Sequence, residues 1–330
     1  VNETYGWIKC PSIVEQNDMR VMSYTFWTEE TVDHPDIKVY HKVRAENILT
    51  GATLSSWELQ ISGSAWQTSI ELISMPFEDR VYFLFPYSVY RKIYAGWVNT
   101  NDGYMNRILP LDLSGYLVTQ YSNIDAKLFK DSAETKIGIA FINEESVGVK
   151  LQCAFAVWTP SNGYTCPWGI MGAAQQDSHN PVCFNYESPV TYSGFPWMAV
   201  AWRNDRTISG ESDLLAIIAD TSATIQITGP GTDPLVVTTF DGYMSSVMSG
   251  IQIDAYNSEL LVSMRDPNIL LGHRDQEWYT KTFRFAETIA GELYAVATSY
   301  NPAYKTFLVS RPWMIDGYLH YIGVGCSMDD

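Results

Sequence analysis

The sequence predicts an all-β protein: two tandem eight-stranded jelly-roll β-sandwiches, each with a short helix before its last strands. Three observations predict it. Short strand-like runs bounded by turn residues recur along nearly the whole chain, at about eight per half, the strand count of a jelly roll. A long turn-dense stretch interrupts that rhythm near the middle. The chain has 330 residues, 46% of them hydrophobic and only 18% charged, so it can bury one large β core or two ordinary ones and is not disordered. The domains expected are 1–160, a first jelly roll with an N-terminal arm; 161–196, a connecting loop; and 197–330, a second jelly roll.

In chain order, residues 1–19 are polar, contain Pro11 and lack a period, so they read as an arm. Val1, Asn2, Glu3 and Thr4 form no charged-then-apolar leader, and the start without Met reads as processed or trimmed. Runs at 21–27, 37–48, 54–62 and 65–74 then alternate; Val39, His41 and Val43, for example, interleave with Lys38, Tyr40 and Lys42. Further runs fall at 116–121, 136–142 and 146–158, with Asn143, Glu144 and Glu145 as a hairpin turn. The loop carries Pro160, Gly163, Pro167, Gly169, Gly172, Pro181, Pro189, Gly194 and Pro196, and its aromatic residues argue that it packs on something. The second half repeats the rhythm from 197 to 324. There 214–219 has Leu and Ala content that also suits a helix, and 286–290 could turn once as one.

The first half is organised around residues 80–97. Residues 81–85 are a continuous apolar-aromatic run, the mark of a buried strand. Pro86 lacks an N–H and is expected to end the pairing. Val89, Tyr90, Ile93, Tyr94 and Trp97 then recur at three and four residues, one face of a helix. Tyr90, Ile93, Tyr94 and Trp97 are therefore the candidate structural helix and interface. Such an aromatic face needs a cover, either a sheet or a ligand groove.

Composition narrows the function classes. A net charge of −16, with no Lys/Arg run longer than two, excludes nucleic-acid binding through a general positive field. No stretch approaches the ~20 apolar residues of a membrane-spanning helix. The 5 cysteines are too sparse for a disulfide framework. Cys153 reads as a buried thiol, Cys166 and Cys183 flank one loop as a candidate disulfide, and Cys10 and Cys326 have no assignable partner. The 5 histidines show no metal-ligand spacing, so neither metal nor cofactor is expected. Asp33, His34, Pro35 and Asp36 read as a solvated turn before a cation site. His273, Arg274 and Asp275 match a kinase catalytic loop in letters alone, without a glycine-rich loop or Asp-Phe-Gly. Gly229, Pro230 and Gly231 form a turn, since no Lys follows as in a phosphate loop. Asp205, between Asn204 and Arg206, and the pair Glu144 and Glu145 read as exposed turn charges. Asn2, Glu3 and Thr4 fit a glycosylation sequon, as one does by chance in this length.

The order of strands, loop and strands resembles the double jelly-roll major capsid proteins of icosahedral, often membrane-containing, DNA viruses. Separately, residues 81–97, through Phe83, Pro86, Tyr90 and Trp97, resemble the strand–proline–aromatic-helix step of capsid proteins of small single-stranded DNA phages. The resemblance implies a non-enzymatic structural protein of the virion. It would self-assemble as a homotrimer or pseudo-hexameric capsomer, meet other capsid proteins, bind no nucleic acid sequence-specifically and sit over an internal membrane in some viruses. The alternative is a secreted carbohydrate-binding module or a glycoside hydrolase with a β-sandwich fold. Aromatic grooves suit sugars, and the two carboxylates of a glycosidase can lie far apart in sequence.

Overall fold

The fold is described from a computed structural model. It covers residues 8–29, 37–61, 70–87, 89–113, 115, 124–130, 134–144, 151–171, 178–186, 197–205, 212–220, 226–227 and 234–240, and beyond residue 250 the backbone of the strands named below. The chain divides into two compact units, 1–149 with 157–167, and 150–156 with 168–330. The described residues are overwhelmingly β-strand and include no α-helix; two short 3-10 turns lie at Pro76–Glu78 and Pro160–Asn162.

In the first unit, β1 (Ile8–Gln16), β2 (Met19–Glu29), β3 (Ile37–Asn47) and β4 (Thr53–Ile61) form one antiparallel sheet in chain order. Residues 8–16 of the expected arm are thus a strand. Its register is set by a two-residue turn in which Asn17 and Asp18 take positive φ, 52° and 57°, so that Gln16 pairs with Met19. Asn and Asp tolerate that conformation, and such a turn matches the twist of a hairpin. Along β3, Val39, His41, Val43 and Ala45 are buried and their neighbours are not, as the alternation predicts.

β5 (Glu71–Met75), β6 (Arg80–Tyr87), β7 (Lys92–Asn99) and β8 (Leu109–Pro110) form the second sheet, also in chain order. β6 is buried on both faces from Val81 to Pro86, which is why it reads as a continuous apolar run. Val81, Phe83 and Phe85 join Met19, Val21, Val43, Ala45, Ile70 and Val98 in one core cluster, with Trp57 and Leu59 against it.

The predicted helix at 89–97 is absent. The chain turns at 89–91 and returns as β7, pairing Tyr87 with Lys92 and Phe85 with Tyr94. Pro86 does not end the strand but pairs with Ile93. β5 is described as far as the partner of Leu84, so among the described residues the strand neighbour of Pro86 is Ile93 of β7. The 3–4 spacing arose because a tight turn interrupts two runs of residues that favour strands. Ile93 is fully buried, Tyr94 and Trp97 are half-buried, and Tyr90 is exposed.

Gly96 sits directly across from Phe83. A Cβ there would lie 2.5 Å from Phe83 Cζ and 2.9 Å from Ile108 Cγ1. Since the Phe83 ring is held in the core, Gly96→Ala should destabilise the unit by about 1–3 kcal/mol through overpacking. Urea unfolding checks this, and an unchanged midpoint would refute the close approach.

The turn after β1 is clasped onto the second sheet. Gln16 Nε2 donates to Thr100 Oγ1 at 3.1 Å, and Ser74 Oγ donates to Gln16 Oε1 at 2.6 Å. Asn17 Nδ2 donates to Asp79 Oδ1 at 2.8 Å and to Thr100 Oγ1 at 3.0 Å. Further along, β9 (Asp125–Lys130) pairs with β10 (Thr135–Glu144), and β11 (Leu151–Trp158) pairs with β12 (Trp168–Ile170).

In the second unit, β13 (Ser178–Tyr186), β14 (Trp197–Asp205), β15 (Ser212–Asp220) and β16 (Gln226–Ile227) follow one another in a sheet, and β17 (Leu235–Phe240) pairs with β15. β15 settles the strand-or-helix choice at 214–219, because its pairing with β14 is continuous from Trp197 with Asp220 to Asp205 with Ser212. β18 (Gln252–Tyr256), β19 (Glu259–Arg265), β20 (Trp278–Glu287) and β21 (Leu293–Ala303) make another sheet in chain order. β22 (Thr306–Val309) pairs with β25 (Gly323–Gly325), enclosing the hairpin of β23 (Trp313–Ile315) and β24 (Tyr318–His320). The segment expected as an unpatterned loop, 161–196, contains β12 and β13.

These sheets do not show two eight-stranded jelly rolls. A jelly roll passes its strands through Greek-key crossings between two sheets, whereas the four-stranded sheets described here take consecutive strands, the arrangement also found in a propeller blade. Strand counting finds the elements but not their partners.

Candidate functional site

The tip of the β6–β7 hairpin gathers three tyrosines. The rings of Tyr87 and Tyr90 meet edge-on with centroids 5.2 Å apart, and those of Tyr87 and Tyr94 likewise at 5.6 Å. Beneath them Tyr94 stacks on Phe85 at 5.9 Å, which roots the group in the core. Tyr90 is 61% exposed, beside the exposed Val89. Burial, and then the neighbouring Tyr90 and Tyr87, push the Tyr94 hydroxyl above its ordinary pKa, so it stays a neutral donor at neutral pH.

Local backbone and charge fix this tip. Arg91 takes φ 52° to close the turn, and its guanidinium is ion-paired with the carboxylate of Glu144 on β10. The Glu144 side chain is only 9% exposed. Glu144 is thus a buried strand residue, not the exposed turn charge expected, because β10 runs on through Asn143 and Glu144. The carboxylate is tied to the tip through Arg91, the residue that follows Tyr90.

A second aromatic group lies further along the same hairpin. The Arg80 guanidinium covers the Trp97 ring at 4.3 Å, and Trp97 meets the exposed Tyr104 at 6.4 Å. The Tyr82 hydroxyl donates to Glu78 at 2.8 Å and accepts from Arg80 at 3.1 Å. Burial is the largest cause that pushes its pKa up to about 12. On the opposite face from Phe83, Tyr82 meets Trp158 edge-on at 5.3 Å, and Trp158 Nε1 donates to Gly163 O at 2.7 Å.

The structure separates the residues singled out from the sequence. Tyr90 and Tyr94 come together; Ile93 and Trp97 point to the other face of β7, and no helix joins the four. Cys166 and Cys183 are both buried and belong to different units of the chain; Cys153 is buried as expected. Burial raises the Cys153 and Cys166 thiols well above their ordinary range. Asp205 lies in β14 and is ion-paired, not in an exposed turn. The acidic turn at 33–36, the residues 273–275 and the turn at 229–231 fall outside the described residues. Among the described residues no group of three or more His, Cys, Asp or Glu is placed to hold a metal ion. Arg91 and its pairing with Glu144 escaped sequence reading, since residues over fifty positions apart carry no local signal.

No family model matches the chain, and no curated protein matches it. Similar solved structures include an endo-1,4-beta-xylanase from Bacteroides thetaiotaomicron, at 11% identity and TM-score 0.39, covering 90% of this chain and 96% of that one. An exo-1,5-alpha-L-arabinanase from a bovine ruminal metagenomic library has 8% identity and TM-score 0.41, covering 89% and 97%. A Trypanosoma rangeli sialidase has 11% identity and TM-score 0.43, covering 98% of this chain and 52% of that one, so the chain spans about half its length. At these values the likeness assigns no activity to this chain.

The reading as a viral or phage capsid protein is corrected on the fold; none of the three solved structures named above is a capsid protein either. The features that carried the resemblance, a helix at 89–97 and paired jelly rolls, are not what the described residues form. The virion location and the expectation of a non-enzyme are set aside with it.

Proposed function

We propose that this chain is a carbohydrate-active β protein, of glycoside-hydrolase class, that holds a glycan on the tyrosine tip of the β6–β7 hairpin. The observation that carries this reading is the Tyr87, Tyr90 and Tyr94 group, with Tyr90 61% exposed and the other two braced on the core. Tyrosine offers an apolar face to the C–H side of a sugar ring and a hydroxyl to its polar edge. Glu144, held beside the group through Arg91, is the carboxylate we propose for a role in cleavage, which takes two carboxylates flanking the glycosidic bond.

Affinity electrophoresis in gels containing xylan, arabinan or levan tests the binding, with reducing-sugar release as the assay of hydrolysis. At least one polysaccharide should retard the chain. Tyr90→Ala should weaken that retardation by about three- to tenfold, the range of an aromatic stacking contribution. Migration unaltered in every gel, with no sugar released, would end this reading.

A further inference from the structure

Outside the tyrosine tip, unfilled hydrogen-bonding capacity concentrates on β14. Arg203 is 1% exposed in its side chain. Its Nη2 donates to Asp205 Oδ2 at 2.8 Å, while Nε and Nη1 have no partner among the described residues. Trp202 Nε1 and Asn204 Oδ1, on the residues to either side, are buried and likewise unpartnered among the described residues. A buried guanidinium is seldom left so, because each unmade hydrogen bond retains its desolvation cost.

The sheet supplies little else. Alternation along β14 puts Ala201 and Asp205 on the Arg203 face, and the register places His179 of β13 and Leu214 of β15 directly beside Arg203. Ala201 and Leu214 are apolar. Asp205 turns the same oxygen, Oδ2, towards His179 Nε2 at 3.6 Å. Asp205 Oδ2 thus takes one N–H of Arg203 and lies within ion-pair range of His179, and the three N–H bonds on Nε and Nη1 remain for an acceptor from elsewhere.

We propose that Arg203, with His179 and Asp205 around it, is a binding site for a small carboxylate. A carboxylate matches the planar fork of a guanidinium and supplies the charge-assisted hydrogen bonds that a neutral group cannot. Two sources share this chemistry, the acid group of a uronic sugar and a free small carboxylate. The site lies in the second unit and does not depend on the tyrosine tip.

The test is thermal denaturation and calorimetry of the whole chain with glucuronate, acetate, glucose and sodium chloride at matched ionic strength. Glucuronate should raise the melting temperature and bind saturably, and glucose and chloride should not. An equal effect of acetate identifies the free carboxylate as sufficient, and its absence identifies the sugar acid. Arg203→Gln and Arg203→Lys should bind at least about tenfold more weakly. Because these variants can misfold, the wild-type comparison of glucuronate with glucose decides by itself. No shift with either carboxylate, or an equal shift with chloride, would overturn the proposal and leave Arg203 a structural residue. Its loss would leave the retardation by a neutral polysaccharide and its dependence on Tyr90 untouched, so the two readings fail separately.

Discussion

Phe85→Ala should lower the stability of the first unit by about 3–5 kcal/mol, the range for removing a fully buried phenylalanine. The Phe85 ring has no exposed surface and lies 5.0 Å from Trp57, 5.6 Å from His41 and 5.9 Å from Tyr94, centroid to centroid. Those three side chains come from β4, β3 and β7, so the gap would open where the two sheets face each other and cannot be closed by one rotamer change. Tyr94 would also lose its stacking partner, which should loosen the tip it supports. Urea unfolding measures the first effect and polysaccharide affinity the second. Phe85→Leu, which keeps most of the volume, should cost much less. A loss below about 1 kcal/mol for the alanine variant would show that this ring does not join the sheets.

Acid should destabilise the same unit through His41. The imidazole is fully buried and shares a 2.9 Å hydrogen bond with Thr25 Oγ1. Burial lowers its pKa from 6.5 to about 3. Above pH 6.5 the ring is neutral in folded and unfolded chains alike, and its contribution does not vary. Between pH 6.5 and 3 the unfolded chain takes up a proton that the folded one refuses, so stability falls with pH by up to about 1.4 kcal/mol per unit. Below pH 3 both forms are protonated and the loss levels off, at roughly 3–5 kcal/mol in all. Carboxylates titrate in the same window, so the measurement is a difference. The stability advantage of the wild type over His41→Gln, taken from urea unfolding at pH 7, 6, 5 and 4, should shrink steadily. A constant difference across that range would mean that His41 is protonated in the fold.

Much of the strand content was legible because it rests on local chemistry. The continuous apolar run at 81–85 is β6, and the alternation of Val39, His41 and Val43 is β3. Cys153 reads correctly as a buried thiol because it sits inside such a run. What failed depended on partners. Residues 8–16 carry no period, yet they pair along β2 because the Asn17–Asp18 turn folds them back. Residues 89–97 match a helical period by coincidence, since a tight turn puts Tyr90 and Tyr94 near each other across a hairpin. The site was less legible still. Tyr90 and Tyr94 were singled out for the wrong geometry, and Glu144 and Asp205 looked like turn charges. Nothing local marks Arg203, because its unmet hydrogen bonds depend on which residues the neighbouring strands bring beside it.

Consecutive-strand pairing also sets a timetable for synthesis. The first sheet has all its strands once Ile61 is made, and its hairpins close over short connections at small entropic cost. Its apolar side, with Val21, Val43 and Ala45, is then bare until Val81, Phe83 and Phe85 emerge. The Gln16 and Asn17 clasp waits longer, for Thr100. At about 5–20 residues per second, the roughly twenty-four residues from Ile61 to Phe85 take about 1–5 s. For that interval the nascent chain presents a finished sheet with an uncovered hydrophobic face, the stage at which a ribosome-bound chaperone has most to protect.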